Sequence, residues 1–382
     1  MSSNKTNRIE WIDGLKGIAC LGVFLSHAIC LFYPSYYFGK DCPSHLNGIE
    51  ISAYNSVFRF VLEVRECVAL FCLLSGLVIA NKMLNMSEVK DKLAGLFVKR
   101  YLRLMLPVFP MGLIVWLMLK IGAFSNVVAS EFTGSIWAGE YYARPMGLLQ
   151  MLSTVVVKMW FYGDDTISTA LWVMAQIFIG SIIAMILSMI YWKCGRKSLA
   201  VYLFVFLCLI PRHDYIVAFV LGVILATIVK EWSTQKGNTI IGILFIASGL
   251  FLGAYPDYTE PIGIYRYLNV GNSELIFSMG AFLIVYGIYY FVPIQTILSK
   301  KLFTYLGSIC YEILIIHIPV LFSAGAGIFM VLIRNNMNYN VASVIGILAS
   351  IVITLVLSHP YHVVWGKYTT IITKKIINIL GC

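Results

Sequence analysis

The chain has 382 residues, of which 60% are hydrophobic and only 12% are charged, and its mean hydropathy is +0.85. A water-soluble globule of this length could not bury that much apolar surface. The composition therefore excludes a soluble protein and predicts an all-α, polytopic bundle of transmembrane helices. The net charge of +10 is explained by membrane topology and contact with anionic lipids, so no nucleic-acid partner is expected.

Apolar stretches of about 20 residues, the length that crosses a bilayer as a helix, recur between short polar connections. The first stretch follows Glu10 and Asp13 and lacks a small-residue cleavage pattern, which indicates a retained signal anchor. The fifth, closed by Pro211, is short for a crossing. We predict about ten spans, at residues 12–33, 54–81, 101–121, 168–191, 198–210, 213–229, 238–254, 273–292, 302–332 and 341–365.

The distribution of Lys and Arg predicts that both termini are cytoplasmic, because cytoplasmic loops retain cations. The predicted outer loops carry acidic residues instead: Asp41, Glu50, Glu131, Glu140, Asp164, Asp165, Asp257 and Glu260. The inward side carries 19 of the 28 basic residues, namely Lys5, Arg8, Lys16, Lys82, Lys90, Lys92, Lys99, Arg100, Arg103, Lys193, Arg196, Lys197, Lys230, Lys236, Lys300, Lys301, Lys367, Lys374 and Lys375.

Domain organisation follows from the same pattern. We expect one membrane domain over residues 1–382 with no appended soluble domain, in a cell membrane and most simply the plasma or inner membrane of a bacterium.

Of the nine cysteines, Cys42 alone lies clearly in an outer loop, while Cys194 and Cys382 face inside. This pattern excludes a disulfide framework, and no Cys/His spacing indicates a metal site. Membrane lipids are expected partners, and the sequence does not specify an oligomeric state.

His27 is an ionisable residue deep in the first span, where such a group is costly and needs a reason. Lys16 lies eleven residues earlier, on nearly the same helical face and about 16 Å away along the axis. A neutral imidazole can accept a proton from a hydroxyl group, so His27 is a candidate general base. The alternative is a histidine that only forms a hydrogen bond between packed helices.

Two further groups of ionisable residues lie in or near spans. His317 shares span nine with Glu312 and with Pro319, which is expected to kink the helix. Taken alone, His317 is interpreted as structural. Span two carries Arg59, Glu63, Arg65 and Glu66, and the preferred interpretation is an ion pair between Arg59 and Glu63.

Two segments indicate possible ligand contacts on opposite sides of the membrane. On the inner side, Arg100 and Arg103 share a helical face, and paired arginines can bind phosphates; the alternative is anchoring to anionic lipid. On the outer side, the loop at about 122–167 combines aromatic and acidic residues that suit sugar rings, or else form an aromatic belt at the membrane interface. These loop residues are Trp137, Tyr141, Tyr142, Trp160, Phe161, Tyr162, Asp164 and Asp165.

The opening of the chain resembles that of the membrane-bound acyltransferase 3 family, on the residues from Arg8 to Ala19 (RIEWIDGLKGIA) followed by His27. Further segments resemble the family's motifs in the expected order: Phe71 to Gly76 (FCLLSG), Lys99 to Arg103 (KRYLR), Leu171 to Gln176 (LWVMAQ) and Gly307 to His317 (GSICYEILIIH). The matches run from residue 8 to about residue 320.

This resemblance implies a ten-helix core that moves an acyl group, commonly acetyl, from cytosolic acyl-CoA to a hydroxyl of an extracytoplasmic carbohydrate. It implies that His27 is catalytic with Lys16 in the same motif, and that Arg100 and Arg103, beside Lys99, contact the coenzyme phosphates. Residues implied in supporting roles are Asp13, Ser75, Gly76, Trp172, Gln176, Tyr311 and His317. The implied partners are a donor, acetyl-CoA or another acyl-CoA, and a carbohydrate acceptor. No metal is expected.

The sequence departs from the family's pattern at several positions. Lys16 stands where an arginine is usual, which keeps the charge but removes a bidentate fork. Gln176 replaces a frequent glutamate, and Cys310 and Leu314 replace a serine and a tyrosine. His27 is retained.

The leading hypothesis is O-acyl transfer in a water-accessible cavity lined by spans one, two, three and nine. In it, His27 acts either as a general base or as a nucleophile through an acyl-imidazole. Asp13 could orient Lys16, and Ser75-Gly76 could admit the acyl chain or serve only as a small pair for helix packing. Two alternatives remain, a transporter or flippase of a glycan or lipid-linked substrate and a non-catalytic member of the family.

Overall fold

The computed structural model describes residues 9–54, 56, 59–60, 63–86, 93–232, 238–256, 263–268 and 271–380. The structure is 85% helical, and the described residues contain no strand. Several residues used in the topology prediction lie outside the described residues: Lys5, Arg8, Lys90, Lys92, Lys236, Asp257, Glu260 and Cys382.

Nineteen α-helices follow one another along the described chain. They are α1 Glu10–Phe32, α2 Ser35–Phe38, α3 Ile49–Tyr54, α4 Val64–Leu84, α5 Leu93–Lys120, α6 Asn126–Thr133, α7 Ile136–Glu140, α8 Leu148–Ser153, α9 Met159–Tyr162, α10 Met174–Cys194, α11 Ser198–Leu209, α12 Ile216–Trp232, α13 Thr239–Gly253, α14 Ser273–Tyr290, α15 Val292–Leu298, α16 Lys301–Ser308, α17 Cys310–Val320, α18 Ala326–Arg334 and α19 Tyr339–Leu380.

Seven helical segments of the described chain are long and apolar enough to cross a membrane. They are Glu10–Phe32, Val64–Leu84, Ala94–Lys120, Thr169–Arg212, Ser273–Tyr290, Cys310–Arg334 and Tyr339–Leu380. The prediction of an all-α membrane bundle is therefore confirmed. Each of the ten predicted spans contains a helix, and the number of crossings stays a prediction.

The segment Thr169–Arg212 folds back on itself. The Tyr202 hydroxyl donates a hydrogen bond to the Leu187 carbonyl at 2.9 Å, whereas fifteen residues of straight helix would separate these residues by about 22 Å. The reversal lies at Gly195, whose φ of +53° favours glycine. Helices α10 and α11 are consequently neighbours in a hairpin, as two separate predicted spans require.

The predicted start of span two was wrong. Helix α4 begins at Val64, not near residue 54, because Glu63 is its N-cap and accepts a hydrogen bond from the Arg65 backbone N–H. Arg59 and Glu63 therefore precede the span. They form the predicted ion pair at 3.0 Å, with 1% and 0% of their side chains exposed.

Two other predicted spans are shorter than the observed helices at their inner ends. Helix α5 begins at Leu93, so the Lys99–Arg103 segment lies within the helix and not at its entrance. Helix α19 continues to Leu380, well past the predicted end at residue 365. In both places the helix continues beyond the apolar stretch through charged residues. Hydropathy indicates where a span leaves the lipid, but it does not indicate where the helix ends.

Span nine is interrupted in two places. The chain bends at Ile309 between α16 and α17, and a π-helical stretch at Leu321–Gly325 begins two residues after Pro319. A disruption beside Pro319 was predicted, since proline cannot donate to the helical ladder.

Glycines allow the inner half of α1 to pack closely on the segment around α16. A Cβ atom on Gly14 would lie 1.9 Å from the Leu298 carbonyl oxygen, and one on Gly307 would lie 1.9 Å from that of Asp13. This contact fixes α1 against the start of α17, the helix that carries His317.

Candidate functional site

A cavity of about 460 Å³ opens beside the last two turns of α1, at the predicted outer side. Its size is within the range of small-molecule sites. Its lining residues are Ser26, His27, Cys30, Tyr37, Phe38, Asp41, Cys42, Val64, Arg65, Ile136, Trp137, Glu140, Thr169 and Trp172. The prediction that spans one, two, three and nine line the cavity was partly wrong: spans one and two do, but the other walls come from the outer loops and from the start of span four.

His27 and His317 face each other across the contact between α1 and α17. The His27 Nδ1 and His317 Nε2 atoms are 3.1 Å apart, and His317 is 1% exposed. The sequence placed both residues in spans without indicating that they touch. Their contact depends on how α1 and α17 are packed, 290 residues apart in the chain.

The hydrogen bonds assign a tautomer to both rings. His317 Nδ1 lies 3.0 Å from the Ile313 and Leu314 carbonyl oxygens, which can only accept, so this nitrogen carries the proton. In the neutral ring, His317 Nε2 is then an acceptor, and His27 Nδ1 must donate to it. The remaining nitrogen of a neutral His27, Nε2, is thereby left with its lone pair, the form that a general base or nucleophile needs.

Trp137 covers the other face of His27. The two rings are stacked with centroids 5.5 Å apart and planes 15° apart. Ser135 caps the short helix α7 and donates to the Cys30 carbonyl at 2.7 Å, which ties the loop to α1. Asn126 donates to the Ala138 and Tyr141 carbonyls at 2.6 and 2.7 Å. The loop thus holds Trp137 in place.

The aromatic residues of the outer loop have separate environments. Trp137 lines the cavity, Trp160 is fully buried, and Phe161 and Tyr162 are exposed. The Tyr142 hydroxyl donates to the Ile167 carbonyl at 2.7 Å. Only Trp137 of this set is positioned to contact a ligand in the cavity.

A half-buried polar pair supports the same loop. The Tyr141 hydroxyl donates to the Asp165 carboxylate at 2.9 Å. Burial raises the pKa of Asp165, and burial with the nearby carboxylate raises the pKa of Tyr141 to about 12. Asp164 instead accepts hydrogen bonds from Thr154 and Thr166.

Several cavity residues were not singled out from the sequence. Asp41 and Glu140 were noted only as outer-loop acids, and Thr169 was not noted at all. Arg65 lines the cavity and forms an ion pair with Glu274 at 3.2 Å. In the sequence, the only feature that these cavity residues share is a position near the end of a predicted span. Many residues share that feature, so it does not indicate a site.

The arginines of the inner segment have different environments. Arg100 is half-buried, and its Nε donates to the Ser181 hydroxyl at 3.0 Å, while Arg103 is exposed and Lys99 is half-buried. The Tyr311 hydroxyl donates to the Leu104 carbonyl at 2.6 Å, one turn beyond Arg100. None of these side chains lines the outer cavity.

Arg100 nevertheless lies close to the helix that carries His317. Its charge interacts with Tyr311 on α17, and His317 follows Tyr311 by six residues, or about 9 Å of helix. The structure thus brings Arg100 and Tyr311 together, about 1.7 helical turns on the inner side of the histidine pair.

The other predicted site residues are dispersed. Lys16 is half-buried on the inner half of α1, and its charge interacts with Cys310. Gly76 packs on α12, where a Cβ atom would lie 2.4 Å from the Phe219 carbonyl oxygen. Of the two roles considered for Ser75-Gly76, this contact supports helix packing. Neither Ser75 nor Asp13 lines the cavity.

The segment from Leu171 to Gln176 is divided between two roles. Trp172 lines the cavity and lies 6.1 Å from the Tyr215 ring. Gln176 accepts a hydrogen bond from the Tyr215 backbone N–H at 2.8 Å, just before α12. Gln176 therefore stabilises the start of α12. This hydrogen bond needs only a side-chain oxygen, so a glutamine can make it as well as the glutamate that is frequent in the family.

The model of the acyltransferase 3 family, described as an acyltransferase domain, matches residues 9–359. The chain belongs to this family. No curated protein and no solved structure matches it. Family membership, together with the apolar helices, identifies the chain as a membrane acyltransferase, and the cavity with His27 is the candidate active site of this acyltransferase.

Proposed function

We propose that this acyltransferase moves an acetyl group from cytosolic acetyl-CoA to a hydroxyl of an extracytoplasmic glycan. The observation that carries the proposal is the His27 tautomer. With Nδ1–H bound to His317, the ring keeps its Nε2 lone pair for a reacting group. Because the chain is an acyltransferase, we favour transfer over the transporter alternative.

The His27 lone pair supports two routes. As a general base, Nε2 takes the proton of the acceptor hydroxyl while the oxygen attacks the thioester carbonyl, and the released thiolate recovers the proton. As a nucleophile, Nε2 attacks the thioester carbonyl and expels the thiolate of coenzyme A, which leaves an acyl-imidazolium. The acceptor oxygen then attacks this acyl group and displaces the imidazole, and the proton of the hydroxyl passes to the thiolate. In both routes His317 accepts the hydrogen bond that orients the ring.

The cavity supports a carbohydrate acceptor. The rings of Trp137 and Trp172 and the carboxylates of Asp41 and Glu140 line one space. Aromatic faces stack against the C–H faces of sugars, and carboxylates accept hydrogen bonds from their hydroxyls. On the opposite side, Lys99, Arg100 and Arg103 supply the cations for the phosphates of the donor.

The test is transfer of labelled acetyl from acetyl-CoA to membrane glycans in cells that make the parent or His27→Ala. We expect labelling in the variant to fall at least about 100-fold, the range for loss of a general base. His359→Ala is the matched control, because this exposed histidine contacts Tyr305 and lies outside the cavity. Equal labelling by the parent and His27→Ala would reject the catalytic role, and no labelling by the parent would favour a non-catalytic member.

A further inference from the structure

A groove of about 550 Å³, separate from the cavity at His27, lies between the outer loop and the last part of span nine. One wall is the start of α6, and the other is α18 with the end of the π-helical stretch before it. The walls are mostly apolar, with Phe124 and Val128 on one side and Val331 on the other. Arg334, in the last turn of α18, lines the same groove. An apolar groove with one cation suits a ligand that has an apolar body and an anionic head.

A hydrogen bond joins the two walls at one end of the groove. The Ser125 backbone N–H donates to the Phe322 carbonyl at 2.9 Å, within the π-helical stretch Leu321–Gly325. The regular helical ladder is interrupted in such a stretch, so a carbonyl there can accept a hydrogen bond from another segment. Arg334 follows Phe322 by twelve residues, or about 18 Å of helix. The groove therefore runs from this contact along α18 toward the predicted outer side.

Gly327 leaves the groove open at its middle. Among the described residues, the nearest atom of another segment to a Cβ added at Gly327 would be Ser125 Oγ, at 3.5 Å. This is an ordinary van der Waals distance, so a side chain fits here. Because Gly327 lines the groove, a larger side chain at this position would occupy the space of a ligand.

The charge of Arg334 is not balanced by a carboxylate in the described part of the chain. Its side chain is exposed, and none of the ion pairs between described residues includes it. A guanidinium group at the membrane surface attracts anionic lipids and can donate two parallel hydrogen bonds to a phosphate. The apolar walls beside it are suited to an acyl chain of the same lipid, since burial of each methylene group is favourable.

The groove shares a wall with the loop that carries Trp137. The Phe124 ring is stacked on Tyr142 with centroids 4.0 Å apart. The Phe322 ring contacts Tyr142 and Trp137, with centroids 5.8 and 5.4 Å apart. A ligand that packs against Phe124 therefore supports the same aromatic cluster that places Trp137 on His27.

We infer that the groove between α6 and α18 is a binding site for one anionic phospholipid. The phosphate of the lipid binds to Arg334, and one acyl chain lies between Val128 and Val331. The bound lipid holds the outer loop against span nine and so stabilises the folded protein. The site is distinct from the candidate active site and does not depend on the proposed function.

The experiment titrates phosphatidylglycerol and phosphatidylcholine onto the full chain in neutral detergent and measures the affinity for the first bound lipid by native mass spectrometry. We expect the parent to bind phosphatidylglycerol more tightly. Arg334→Gln should weaken this binding about fivefold, the contribution of one basic residue near an anionic headgroup, and leave phosphatidylcholine unchanged. Arg144→Gln is the matched control and should bind like the parent, because Arg144 is exposed in the outer loop and does not line the groove.

A second variant tests the apolar part of the site. Gly327→Leu should weaken the binding of both lipids, because its side chain fills the groove. Its melting temperature in lipid-free detergent should equal or exceed that of the parent, since leucine favours a helix more than glycine does. Phosphatidylglycerol should raise the melting temperature of the parent, and this rise should be smaller in Arg334→Gln.

Three results would overturn the inference. Equal affinity of the parent and Arg334→Gln for phosphatidylglycerol would show that this cation does not hold the lipid. An equal loss of affinity in Arg144→Gln would show a general effect of net charge. A lipid-free dimer of the parent that Gly327→Leu dissociates would show that a second copy of the chain occupies the groove.

Discussion

At the scale of single residues, the reactivity of His27 depends on which of its nitrogens carries the proton. Two backbone carbonyls set the tautomer of His317, and His317 in turn sets that of His27. His317 is therefore a positioning residue that acts through His27. Such partners commonly influence activity strongly although they do not touch the substrate.

We predict that His317→Ala lowers kcat for acyl transfer about 10- to 100-fold, with little change in the KM for acyl-CoA, because the acceptor for His27 Nδ1–H is lost. His317→Gln should recover part of the activity, since its side-chain carbonyl can accept the same hydrogen bond. Steady-state kinetics of both variants in purified form checks this. Parental kcat in His317→Ala would show that the orientation of His27 does not depend on this contact.

At the scale of helices, small residues decide which elements can meet. Gly76 on α4 and Gly222 on α12 bring the two backbones together, since a Cβ atom on either would lie within 2.4 Å of a carbonyl oxygen of the other helix. Close approach of this kind increases the van der Waals contact that contributes to helix association in lipid. It also keeps the start of α4, with Arg65, at the cavity.

We predict that Gly76→Ala destabilises the protein by about 1 to 3 kcal/mol, because α4 and α12 must separate to admit the methyl group. Gly366→Ala is the control: this glycine of α19 has no atom within 4 Å of an added Cβ, so the change should be neutral or slightly stabilising. Thermal unfolding in one detergent measures both. An unchanged melting temperature in Gly76→Ala would mean that the contact is looser than the structure indicates.

At the scale of the whole molecule, the two ends of the bundle carry different chemistry. The cavity beside His27 lies at the predicted outer side, and the segment with Lys99, Arg100 and Arg103 lies at the predicted inner side. On α17, Tyr311 contacts α5 one turn beyond Arg100, and His317 contacts His27 at the cavity. The contact of α17 with α5 and with α1 therefore connects the inner segment to the cavity.

We predict that the end of α19 is cytoplasmic, because an even number of crossings leaves both ends on the cation-rich side. A fluorescent protein fused after Leu380 should fluoresce, and alkaline phosphatase fused there should be inactive. Alkaline phosphatase inserted at Gly147, which has open space around it in the outer loop, should be active. The opposite pattern of activities would reverse the assigned orientation.

Hydropathy and charge determine the membrane class of this protein and the approximate place of each span, because both are local properties of the chain. The motifs likewise determine the family and indicate His27. Helix ends were less predictable: α4 begins where Glu63 caps it, and α19 continues for fifteen residues beyond the predicted span.

Only the tertiary structure decides which side chains meet. Three contacts join segments that are distant in sequence: His27 with His317, Trp137 with His27, and Tyr361 with Pro107. The physical reason is that these contacts follow from the packing of helices through glycines and loop hydrogen bonds. The sequence alone therefore predicts what residues the bundle contains, and the packing determines which of them form a site.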